Sequence, residues 1–293
     1  TLSPAPAQPW TRRSADAIMS DSDSDSDEDG GPPLEPIHFA AMAGYLAAMR
    51  RELEAGVSPD CVGYRRGHGV TPLLLLCAEE TAWGASYSIP DDIRLEAVRL
   101  LLAAGASPDR SEELLDESAL CRAAYLGDPA LCKLLIAAGA DPTQPEDSFG
   151  WTALHGAAVG GSGRHASCAI ALLEAGVPID AEFYYNAGRN FDTPLSKSLE
   201  LIDHSPRSHV IPVLVRYGAD IDRALQLKGH SSVHRQPEAR KYLLRVQAAG
   251  GWKRYERAHR MRLTKTLARV AFPHVPTEVV SHIVDLWAHV GYY

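Results

Sequence analysis

The sequence predicts an all-α solenoid: a stack of about five helix pairs, followed by a helical C-terminal module and preceded by a disordered acidic N-terminus. Three observations predict it. One phrase recurs five times between residues 37 and 222, a glycine closes each copy, and the charge changes sign after residue 222. The phrase is an opening turn, an alanine-rich helix, a leucine-rich helix, then Gly-Ala or Gly-Val and a short polar tail. It is clearest in "IHFAAMAGYLAAMRRELEAGVSPD" (37–60), "SALCRAAYLGDPALCKLLIAAGADP" (118–142) and "GWTALHGAAVGG" running on to "CAIALLEAGVPID" (150–180). Two interrupted copies cover 69–109 and 191–222. The closing glycines Gly56, Gly105, Gly139, Gly176 and Gly218 stand 49, 34, 37 and 42 residues apart, which is a unit of about 33 residues carrying insertions of differing length.

Each element has a physical reason. Thr71-Pro72, Thr152-Ala153 and Thr193-Pro194 set a capping hydroxyl before a first helical residue, where proline loses no hydrogen bond. Paired alanines (Ala123-Ala124, Ala157-Ala158) allow close helix approach, and paired leucines (Leu134-Leu135, Leu172-Leu173) fill the space between layers. The glycines fall where the chain leaves the second helix in a left-handed conformation. Cys77, Cys121, Cys132 and Cys168 read as small buried apolar groups, and His155 as a residue hydrogen-bonded along the stack.

The phrases "TPL", "TALH" and "LLxxGAD" resemble the ankyrin repeat over residues 37–222. The resemblance implies hairpin-like fingers between repeats and a concave face that holds a protein partner. The fingers read "CVGYRRGH" (61–68), "RSEELLDES" (110–118), "TQPEDSFGW" (143–151) and "AEFYYNAGRNF" (181–191). Tyr64, Arg65, Arg66, Phe149, Trp151, Tyr184, Tyr185 and Arg189 are of the types that dominate interface hot spots. Trp151 can instead pack beneath its own finger. The histidine of the family's opening tetrapeptide survives only as His155 in this reading, with Leu74, Cys121 and Ser196 in its place elsewhere. Insertions at 79–92, which carries Trp83 and Tyr87, at 160–165 and at 202–208 extend the far rim of the groove.

Other chemistry is not signalled. No Gly-x-Ser-x-Gly elbow, phosphate loop or HExxH is present. His230 and His234 lack the further ligands of a zinc site, so neither catalysis nor a cofactor is expected. The apolar runs are too short to cross a bilayer. Five unpaired-looking cysteines point to a reducing compartment, cytoplasmic or nuclear, and a monomer is expected. Met19, followed at once by "SDSDSDSDED", reads as a translation start, with residues 1–18 an over-extended gene model or a transit segment. That acidic run has nothing to bury and is expected to be disordered. Ser20, Ser22, Ser24 and Ser26, each followed by acids, resemble sites of acidophilic casein-type kinases.

The net charge of −8 divides into −6 over 1–36, −11 over 37–222 and +9 over 223–293. Residues 223–251 contain a capping helix, with Leu243, Leu244 and Val246 on one side. In 252–270, Trp252, Tyr255, His259, Leu263, Leu267 and Val270 recur at helical spacing beneath a basic outer face. Nucleic acid is set aside as a partner because no recognition motif accompanies the charge. The closing "VPTEVVSHIVDLW" resembles the opening of an F-box: Val275, Pro276, Glu278, Val279, Val280, Ile283, Val284, Leu286 and Trp287 fall on its pattern. "TLARVAFPHV" (266–275) is similar to the start of a suppressor-of-cytokine-signalling box, although Pro273 interrupts it. The F-box match covers 13 residues, short of a full F-box. It is the arrangement of poxviral ankyrin proteins, and it implies an adaptor that recruits cullin-associated proteins. The alternative is a plain scaffold or sequestering protein whose C-terminal helices only cap the stack.

Overall fold

The structure, a computed structural model, describes residues 32–65, 68–77, 89–110, 118–145, 149–185, 190–199, 208–226 and 237–289. The four serines at 20–26, Arg66, Trp83, Tyr87, Arg189 and the His230/His234 pair lie outside the described residues. So do the side chains of Arg65, Leu286 and Trp287.

Five helix pairs stack side by side. The inner row is α1 (Pro36–Met42), α3 (Pro72–Cys77), α5 (Ala119–Leu126), α7 (Ala153–Gly160) and α9 (Pro194–Lys197). The outer row is α2 (Leu46–Glu54), α4 (Asp91–Ala103), α6 (Pro129–Ala137), α8 (Gly163–Glu174) and α10 (Val210–Tyr217). Each helix packs on the next member of its own row. The inner row buries its alanines, Ala123, Ala124 and Ala157 at no more than 0% exposure. Leu101, Leu135, Leu172 and Leu214 fill the joint core between the rows. The closing glycines adopt φ between 90° and 100°, as the left-handed exit requires. Two antiparallel hairpins project from the stack: β1 (Gly63–Arg65) with β2 (His68–Val70), and β3 (Phe183–Tyr185) with β4 (Asn190–Asp192).

Helix starts are fixed by side-chain caps. Thr71 Oγ1 accepts the Leu74 amide at 3.2 Å, Ser118 Oγ accepts that of Cys121 at 3.1 Å, and Thr193 Oγ1 accepts that of Ser196 at 3.3 Å. Ser196 replaces the histidine and still closes the box, because its hydroxyl accepts the Thr193 amide at 2.8 Å. One sequence reading needs correction here: His155 is not the sole surviving histidine. His38 stands at the same place in the first repeat, accepting the Glu35 amide at Nδ1 (3.0 Å), with Nε2 3.2 Å from the carbonyls of Cys61 and Val70.

A carboxylate ladder stitches the repeat tails. Asp60 accepts the Ser107 amide (3.0 and 3.1 Å), Asp109 that of Asp141 (3.0 and 3.1 Å), and Asp180 that of Asp220 (3.0 and 3.2 Å). The rung between the third and fourth repeats is missing on both sides. Thr143 stands where the acceptor belongs, and Pro178, which has no amide hydrogen, where the donor belongs. Asp141 instead turns back on Thr143, accepting its amide at 2.8 Å and its hydroxyl at 2.7 Å.

The supposed insertion at 160–165 is not a loop, because its extra residues lengthen the outer helix, with 12 residues in α8 against 9 in α6. Gly161 is left-handed (φ 67°), Ser162 caps α8, and the helices connect as tightly as at Gly127 and Asp128. Arg164 then ties three repeats together, reaching Asp91 at 3.0 Å and the Gly127 carbonyl at 3.0 Å.

Beyond the repeats come α11 (Ile221–Gln226), α12 (Pro237–Ala248), α13 (Trp252–Val270) and α14 (Thr277–His289). Helix α13 packs on α10 and α12, with Tyr242 edge-on to Tyr255 at 5.6 Å and Tyr255 stacked on His259 at 5.8 Å. Leu243 and Val246 are buried, but Leu244 is 45% exposed and Val270 is 69% exposed, so neither belongs to the face assigned to it from sequence. Helix α14 folds back on α13, covering Val280 and Val284, while Arg260 bridges the pair through Asp285 at 3.0 Å and Glu256 at 2.7 Å.

Candidate protein-binding surface

The finger between the fourth and fifth repeats is built from alternation. Successive strand residues point to opposite faces, so Phe183 and Tyr185 share one side of β3 and Tyr184 takes the other. On the first side Trp151 meets Phe183 edge-on at 4.8 Å and leans on His155 at 5.4 Å. Lys197 lies 5.7 Å above the Phe183 ring and 6.0 Å above that of Tyr185, while pairing with the buried Asp192 at 3.4 Å. On the second side the Tyr184 hydroxyl donates to Glu182, whose carboxylate also receives Arg223, and Arg223 covers the Phe191 ring at 4.7 Å. The finger also joins its predecessor, since the Tyr184 amide donates to the Phe149 carbonyl at 2.7 Å.

Candidate residues therefore separate into two groups. Phe149 (50% exposed) and Tyr184 (40% exposed) present their rings outward. Trp151, Phe183 and Tyr185 are half-buried and form the support beneath them. Tyr64 sits half-buried on the first finger, where its amide donates to the Pro32 carbonyl at 2.8 Å. Tyr125 escaped the sequence reading. It is 45% exposed on inner helix α5, beside Gly156 of α7, and a lone tyrosine in a helical phrase gives no signal of which side it faces.

The titratable groups here are structural. Burial lowers the His155 pKa to about 4 and also lowers that of His38, so both rings are neutral. Burial pushes the thiols of Cys61 and Cys77 up to about 12, and Cys132 is raised first by its hydrogen bond with Cys168. Protonated, enclosed thiols are poor nucleophiles. No group of three or more metal-ligating side chains occurs among the described residues, and no helix there is long and apolar enough to cross a membrane.

On the terminal helix the F-box-like residues also divide. Val280 (0% exposed) and Val284 (2% exposed) are covered by α13. Pro276, Glu278 and Val279 are exposed, and Val275 and Ile283 half-buried. The stripe is thus not free along its length.

Residues 85–183 and 120–224 match a family model described as ankyrin repeats (3 copies). No curated protein matches the chain. The mostly helical stack and this match give an ankyrin-repeat fold, an architecture of protein–protein interaction modules.

Proposed function

We propose, from the premise of an ankyrin-repeat stack, that this chain binds a protein ligand without chemistry, through the finger tips at Phe149 and Tyr184 and the concave floor at Tyr125. The observation that carries this is the built support of the last finger. The exposed Tyr184 ring is held by the Glu182 carboxylate that Arg223 shares, and its strand is backed by the Trp151–Phe183 pair and bonded to the Phe149 carbonyl, which lowers the entropy lost on binding. Immobilised wild type and Phe149→Ala/Tyr184→Ala protein, loaded with the same lysate, test it. Proteins held stoichiometrically by wild type should be lost by the double variant while its melting temperature is unchanged. Equal retention by both refutes the assignment to this finger.

The terminal helix supports a second role, recruitment of cullin-associated adaptors. It is favoured by the fit of residues 275–287 to the F-box opening and by the accessible edge of Pro276, Val279 and Ile283. In this reading Val280 and Val284 hold the helix on α13, and the edge alone meets the adaptor. Val279→Asp should then abolish retention of such proteins with little change in melting. If wild type retains none, the helix is a lid on α13.

A further inference from the structure

The outer face of α13 carries a row of cations that the stack does not use. Arg254, Arg262, Lys265 and Arg269 are all exposed and recur at helical spacing, with Lys265 at the rim of the groove between α13 and α14. None of the four forms an ion pair with the described residues. From Arg254 to Arg269 the row is about 22 Å long. At the other end of the chain, residues 21–29 carry six acids, five of them at every second position. We infer that this row is the docking site for the acidic run of a second copy of the chain, giving head-to-tail self-association.

Reach decides between the same copy and another. Pro32 is anchored on the first finger through its carbonyl, and Asp29 precedes it by three residues. Fully extended, Asp21 lies at most about 40 Å from Pro32 and the middle of the run at most about 25 Å. Neighbouring helices of a row are about 8–10 Å apart, so the five steps from α2 along the outer row to α13 put it about 40–50 Å away, well past the middle of the run. A run that short cannot cover its own cations. One acidic run and one cationic row at opposite ends of each copy make a heterologous contact, which leaves a free end at every step.

Light scattering across salt and concentration tests this on the full chain. At 25 mM NaCl the mass should rise with concentration to at least twice 31.7 kDa, and it should return to 31.7 kDa at 300 mM, where screening is strong. A variant with the six acids changed to Asn or Gln, and one with Arg254, Arg262, Lys265 and Arg269 changed to Glu, should each stay monomeric. Mixed, they should form a 1:1 pair and nothing larger, because one retains only the row and the other only the run. A monomeric wild type at 25 mM overturns the inference, as does a mixture that fails to pair. Unchanged association in either variant does so too. Tight binding of duplex DNA to the row by a chain that never self-associates would reassign the surface to nucleic acid.

Discussion

His155 should make the stack acid-sensitive by a calculable amount. Its Nδ1 faces the Thr152 amide at 3.2 Å and the Thr152 hydroxyl at 2.9 Å. An amide can only donate, so Nδ1 accepts and the neutral ring carries its proton on Nε2. Protonation would charge a fully buried ring and turn Nδ1 into a second donor facing a donor. Burial is the larger cause, and together with the nearby Lys197 it lowers the pKa from 6.5 to about 4, against the opposing backbone groups of Asp192 and Ala181. Between these two values the unfolded chain binds the proton and the folded chain does not, so stability rises with pH. The contribution is complete above pH 6.5, falls by about 1.4 kcal/mol per pH unit below it and levels off near pH 4, a loss of about 3 kcal/mol. His155→Gln isolates the effect, because Gln can close the same capping box and does not titrate. Urea unfolding of both proteins at pH 7.5, 6.5, 5.5 and 4.5 gives the comparison, with carboxylate and His38 contributions common to both. The difference between the two stabilities should shrink or reverse by about 3 kcal/mol toward pH 4. Parallel curves would refute the assignment of a neutral, enclosed ring.

The ladder predicts a contrast between two changes to equivalent tails. Asp180→Ala removes the acceptor of the Asp220 amide and should cost about 0.5–1.5 kcal/mol in urea unfolding, whereas Thr143→Asp should give no gain, because Pro178 offers no hydrogen to accept and the Thr143 hydroxyl bond to Asp141 is lost. On α14, Val280→Asp should strip the helix from α13, read as lost helical ellipticity, while Val279→Asp at a 49% exposed position should leave the ellipticity within error.

Most of the stack is legible because its causes are local. A hydroxyl before a helix, an alanine pair and a glycine after a leucine pair each act within a few residues, and five repetitions make the pattern self-checking. His38 gives a weaker signal because Glu35 replaces the threonine ahead of it, although "EPIH" aligns with "TALH". The tail was read less well for a different reason. A single apolar stripe on α13 suggested one packed face, but the helix has two, and the second is polar: Thr264 is buried at 8% exposure, beside Arg260 with its two carboxylates. Hydrophobic periodicity cannot register a seam made of a threonine and ion pairs. It also assigned Val270 to the packed face, although that side chain is 69% exposed.

The missing ladder rung bears on where binding is proposed. The third and fourth repeats lack their tail stitch, yet this is the junction at which the Tyr184 amide meets the Phe149 carbonyl and Trp151 meets Phe183. Gly150 allows that approach. A Cβ there would lie 2.4 Å from the Glu182 carbonyl oxygen, and its φ of 91° strains any other residue. Connection at this junction has moved from the repeat tails to the finger bases, so the aromatic tips are held by the same contacts that join the repeats. The two jobs nevertheless fall on different side chains. Trp151 and Phe183 are half-buried at the junction, whereas Phe149 and Tyr184 are exposed, and so under the proposed function stability and affinity at this site are separable by substitution.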